Sequence, residues 1–355
     1  MRHRWRAPLL LAAVLSLTWG AWMGLLRIGW ALPLPWPDQL ILHGPLMIGG
    51  FLGTLIALER AIGIAKPWAY AAPLLTAAGS AALVFGPPGP LGPALIISGS
   101  VVVFAVFGVV LRREPSLFAA TMALGVAAWI TGNARWIAGA GIYRAVFWWV
   151  GFIVLTIAGE RLELSRLRRL RAPVRLAFVA AIAVLGLGIA LTIGWPESGV
   201  RVMGGGLVML GAWLGAFDVA RRTVRQPGVT RFIAICLLTG YAWLGVAGAI
   251  AIVTGAAAPG PRYDALLHAI FLGFAVAMIF GHAPIVLPAV LGTPLRFRLA
   301  FYVPLVVLHC SVAVRITGDF VDVLGQWRAW GGLLNAVALA AFAANTAWSI
   351  AETRG

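Results

Sequence analysis

The stretch LILHGPLMIGGFLGTLIALER, residues 40–60, carries no charge until Glu59 and Arg60 close it. About 20 apolar residues at about 1.5 Å each match the hydrocarbon core of a bilayer. In lipid only helices and closed barrels satisfy every backbone group, and a long unbroken apolar run selects the helix. The rest of the chain repeats the pattern. Of its 355 residues 61% are hydrophobic and 11% charged, and the mean hydropathy is +0.95. A soluble domain carries about 25% charged residues, so the chain reads as an all-α polytopic membrane protein.

Twelve spans are expected near 8–32, 39–60, 68–86, 90–111, 116–135, 140–160, 175–195, 199–219, 231–254, 264–291, 297–315 and 329–350. Turn-rich breaks such as GPPGP at 86–90, GWPESG at 194–199 and APGPR at 258–262 separate them. The N-terminal MRHRWR resembles the start of a signal peptide, but the apolar run behind it continues to about Leu32, which favours a retained first helix. No internal repeat and no soluble domain are evident. The chain is read as one integral domain, 1–355, with a basic loop at 160–175 between two six-helix halves.

Charge orients the spans. With the N-terminus inside, 20 of the 27 basic residues fall on the cytoplasmic side, including the cluster ERLELSRLRRLRAPVR that joins the sixth and seventh spans. The outer side keeps Arg27, Arg135, Arg144, Arg201, Arg262, Arg315 and Arg328. The positive-inside rule counts basic residues only, so both termini are expected in the cytoplasm. The net charge of +16 is loop charge of this kind. It implies the lipid bilayer as partner and no nucleic acid.

Several chemistries lack their residues. No carboxylate lies near the middle of a span, where a proton-coupled transporter commonly places one. There is no Walker loop, GxSxG elbow or HExxH pair, and the cysteines, Cys236 and Cys310, form no CxxC motif. Gly49-x-x-x-Gly53 and the run Gly204–Gly206 suit close helix packing.

Histidine is what remains. His43 follows Asp38 by five residues at the start of the second span; His268 follows Asp264 by four at the start of the tenth. On the expected topology both helices enter from the outer side, so the two imidazoles lie at similar depth. Neutral imidazole ligates transition metals and haem iron without adding charge, which matters in lipid. Met47 and Gly50 follow His43 on one helical face, offering a soft contact and then a gap for a flat macrocycle. His282, fourteen residues after His268 in DALLHAIFLGFAVAMIFGHAP, lies about 21 Å along the same face, too far to share one metal. Pro284 and Pro288 beyond it are expected to loosen the helix end. His309 stands beside Cys310, but adjacent helical side chains point about 100° apart and rarely ligate one ion together, so His282 and His309 are secondary metal-ligand candidates and copper is admitted without paired ligands. Arg315 ends the eleventh span and has the fork that suits a haem propionate.

This pattern resembles the catalytic subunit of haem–copper oxidases and nitric-oxide reductases. That family has twelve helices, with histidines on the second and tenth holding a low-spin haem in the outer half of the membrane. HGPLMI, at His43, is similar to the second-helix motif, and His268 stands at the matching place on the tenth. The copper-ligating histidines of that family's sixth and seventh helices are missing here, as is the second of its paired histidines on the tenth. In character the chain is also similar to the NnrS family, haem- and copper-associated membrane proteins linked to nitric-oxide stress, which share a pair like Gly281-His282. The resemblance implies a b-type haem protein of a bacterial inner membrane. Haem b would sit between His43 and His268, serving electron transfer to a redox partner or a nitric-oxide-related response. The alternatives are a secondary transporter of a small solute and a cofactor-free partner of a respiratory complex.

Overall fold

The computed structural model describes residues 6–34, 37–165, 170–321, 323 and 325–353. Arg2, Arg4, Arg166, Arg168, Arg169 and Arg354, six of the 20 cytoplasmic basic residues, lie outside the described residues, as does His3. Among the described residues there is helix and no strand. Among the described residues twelve helices are long and apolar enough to cross a membrane: α1 Arg6–Arg27, α2 Asp38–Ile64, α3 Pro67–Phe85, α4 Leu91–Arg113, α5 Leu117–Ala140 and α6 Ile142–Leu164, then α7 Ala172–Leu191, α8 Pro196–Phe217, α9 Gly228–Thr254, α10 Pro261–Leu291, α11 Leu299–Phe320 and α12 Gly325–Ala351. The protein is an integral, multi-pass helical membrane protein in contact with the lipid bilayer.

The ends of these helices follow local chemistry. α1 stops at Arg27 rather than near Leu32 because Gly29 turns the chain at φ 97°, a conformation no helix continues through. Ser116 caps α5, accepting from the Ala119 N–H, and prolines open α8 and α10 at Pro196 and Pro261. α10 runs through Pro284 and Pro288 as helix to Leu291, so the expected loosening does not interrupt it. Prolines are tolerated inside membrane helices where neighbouring groups take up the freed carbonyls. The basic segment expected as a loop at 160–175 is partly helix: α6 extends to Leu164 and α7 begins at Ala172.

Among the described residues five spans are not plain α-helix: α2, α3 and α11 begin with a 3-10 turn, and three spans carry π-wound segments. Leu46–Leu52 in α2, Trp136–Ala140 in α5 and Ala269–Val276 in α10 are π-wound, each hydrogen bond reaching one residue further than in an α-helix.

The chain divides into two compact units, Met1–Glu160 and Arg161–Gly355, with the division inside α6. In the first unit, α2 packs on its neighbours through small residues. A Cβ on Gly49 would lie 3.1 Å from Ile96 of α4, and one on Gly53 only 2.5 Å from the Trp129 ring of α5. The Thr54 hydroxyl donates to Thr76 of α3 at 2.9 Å. Trp129 stacks on Phe152 of α6 with centroids 4.4 Å apart. In the second unit, α7 and α8 cross where Gly188 meets the Met203 backbone and Gly206 meets that of Leu185. No Cβ fits at either point. Gly204 faces Gly248 and Ala251 of α9, whereas Gly205 has only Val184 near contact distance, so two of the three consecutive glycines make close contacts. An apolar core of Phe232, Leu272, Phe280, Phe301, Leu305 and Phe342 ties α9, α10, α11 and α12 together.

Candidate functional site

His43 lies in the first turns of α2, three residues before its π-wound segment. Its Nδ1 lies 2.7 Å from the Gly20 carbonyl of α1. A carbonyl only accepts, so Nδ1 carries the hydrogen and Nε2 carries the lone pair. Gly24, one turn beyond Gly20, lets the ring lie flat on α1: a Cβ there would stand 2.9 Å from both Cε1 and Nδ1. On the next face Gly44 turns toward Ile142 and Trp149 of α6. Met47, expected as a soft contact for a cofactor, packs its sulfur against Gly20. The gap expected over Gly50 is filled. A Cβ there would meet Ser80 Oγ at 2.7 Å and Ser16 Cβ at 2.8 Å, so Gly50 brings α1, α2 and α3 together and leaves no slot for a macrocycle.

His268 is built in the same way within the second unit. It closes the first α-helical turns of α10, and the π-wound segment begins at the next residue. Its Nδ1 lies 2.8 Å from the Asp264 carbonyl and 3.3 Å from the Asp264 Oδ1. Nδ1 is therefore again the N–H, and Nε2 again the lone-pair nitrogen. The other Asp264 oxygen, Oδ2, accepts from Arg315 Nη2 at 2.7 Å and Arg315 Nε at 3.1 Å, and Arg328 Nη2 stands 3.6 Å away. Arg328 Nε in turn lies 3.0 Å from Asp319 Oδ1. Two carboxylates and two guanidiniums thus chain α10, α11 and α12 together behind the imidazole. Arg315 is only 6% exposed, so it turns into the bundle toward Asp264 rather than out to headgroups. Its fork, expected for a propionate, is engaged by that carboxylate.

His282 lies further down α10, its Nδ1 2.7 Å from the Met278 carbonyl, which gives the same tautomer without a π-wound segment after it. His309 is the opposite case. Trp243 of α9 donates its indole N–H to His309 Nδ1 at 3.0 Å, which forces the hydrogen onto Nε2. That Nε2 is buried with no hydrogen-bond partner. An N–H nitrogen cannot ligate, so the ring as placed is not arranged to hold a metal. Cys310, beside it, is exposed. Among the described residues no three His, Cys, Asp or Glu side chains converge as a metal site of protein ligands alone would require.

Sequence reasoning missed several partners. Asp264 served there only to mark depth, although its i, i+4 spacing from His268 places the two side chains on one face. Asp319 and the Arg315–Asp264 contact needed the packing of α11 and α12 and left no local signal. A second buried pair joins Arg161 and Asp218 through two bonds, of 2.8 and 3.1 Å, and Asp218 Oδ1 also caps the Ala220 N–H.

Fold and site together define a polytopic helical membrane protein whose spans carry imidazoles held in fixed tautomers. By sequence the chain belongs to the family described as a domain of unknown function, DUF8744, whose model matches residues 6–351. No curated protein and no solved structure matches it.

Proposed function

We propose that this protein is a membrane b-type haem protein with His43 and His268 as axial ligands. It serves electron transfer or a nitric-oxide-related response in a bacterial inner membrane, with both termini cytoplasmic. One shared feature carries the reading. Each of these two histidines, and neither His282 nor His309, both anchors Nδ1–H on a backbone carbonyl and is followed within three residues by a π-wound segment. Ligating histidines characteristically donate their other ring N–H, which fixes the tautomer and the ring orientation. π-wound turns recur at functional sites because they re-aim side chains. The ligand chemistry therefore fits haem iron, while the packing at Gly50 removes that glycine as part of a macrocycle slot.

A haem held by His43 and His268 would supply reversible one-electron chemistry. The protein's share is to hold the two Nε2 lone pairs. In the first unit the Gly20 carbonyl and the flat contact at Gly24 do this for His43. In the second, Asp264 does it for His268.

The test is the visible spectrum of the purified full chain, oxidised and reduced, from cells supplied with haem. A Soret band in the wild type, lost in His43→Ala and in His268→Ala, is the expected result. A colourless protein with full helical circular dichroism overturns the proposal and returns solute transport as the better reading.

A further inference from the structure

Asp264 faces His268 twice, through its carbonyl and through its carboxylate, and both oxygens lie on the Nδ1–H side of the ring. Only one of its carboxylate oxygens is turned to the ring. The other is held by Arg315 in a two-pronged contact and approached by Arg328, which lies against the buried Asp319, 4% exposed. Two guanidiniums at these distances keep Asp264 a carboxylate. Two guanidiniums thus flank Asp264, and its negative charge stands directly behind the imidazole.

We infer that Asp264 is a positioning residue that sets the electron-donating strength of His268, with Arg315, Arg328 and Asp319 fixing how much of its charge the ring feels. This rests on the haem reading above. The physics is that of a carboxylate–histidine–metal relay. A negative charge 3.3 Å from Nδ1 raises the basicity of Nε2, and a more basic ligand favours ferric over ferrous iron. Guanidiniums on the far oxygen draw that charge away and oppose the effect.

The test is a redox titration of the haem-loaded full chain in detergent, followed by reduced-minus-oxidised spectra. Asp264→Asn removes the charge with little change of shape and shifts the midpoint potential to more positive values while the Soret band persists. The paired variant Arg328→Gln/Asp319→Asn strips one cation from Asp264, so it shifts the potential the opposite way. If Asp264→Asn does not fold, the paired variant decides. A Soret band with an unchanged potential in the folded variants overturns the inference and leaves the haem reading standing. So does loss of haem in proportion, with the remaining haem titrating as in the wild type, because that marks a purely structural role. A wild-type protein without haem overturns both.

Discussion

Nitrogen tautomers separate histidines that composition alone treats as equal. A carbonyl under Nδ1 leaves the lone pair of His43, His268 and His282 on Nε2, whereas the Trp243 indole under His309 places a hydrogen there. None of this is visible in the residue string, because the deciding partner of His43 sits on α1 and that of His309 on α9. Gly24 shows the same limit: among 43 glycines nothing marks it, yet it is the surface against which the His43 ring lies. Gly24→Val puts a branched side chain where the imidazole is. It is expected to break the bond from Nδ1 to Gly20, to remove the same spectral band as His43→Ala, and to cost about 1–3 kcal/mol of overpacking. An unchanged spectrum and melting curve would show that the ring does not depend on this contact.

Elements add what single residues cannot. The periodicity of α2 and α10 predicts helices, but no local pattern announces the π-wound turns after His43 and His268. The helix ends carry another tertiary feature, the buried Arg161–Asp218 pair, whose members are only 4% and 1% exposed. They sit on α6 and just past α8, so their meeting depends on how these elements pack within the second unit. Removing one partner leaves the other charge buried without compensation. Asp218→Asn is therefore expected to destabilise the protein by about 3–5 kcal/mol, read as a lower unfolding midpoint in detergent. A loss below about 1 kcal/mol would mean that water reaches Arg161.

For the whole molecule the sequence carried further. Long apolar runs gave twelve spans whose number the structure repeats, with ends shifted by a few residues where Gly29, Pro196 or Pro261 act. The arginine distribution makes a prediction of its own. Single cysteines in a background lacking Cys236 and Cys310, placed at 87–89 and at 226–228, are expected to react with an impermeant reagent from opposite sides: 87–89 from outside, 226–228 only after the cytoplasm is opened. The reverse pattern would invert the orientation. What the sequence by itself determined is the solvent of the chain, because transfer of apolar residues into lipid is a sum over composition and needs no knowledge of neighbours. It also singled out the imidazoles, since few polar side chains interrupt those runs. Only the tertiary structure decided which imidazole nitrogen holds the lone pair, that Gly50 is filled by Ser16 and Ser80, and that Asp264 stands behind His268 with Arg315 on its far side. Those are contacts between helices or between turns, made at hydrogen-bond range, and a one-dimensional pattern does not encode how helix faces meet.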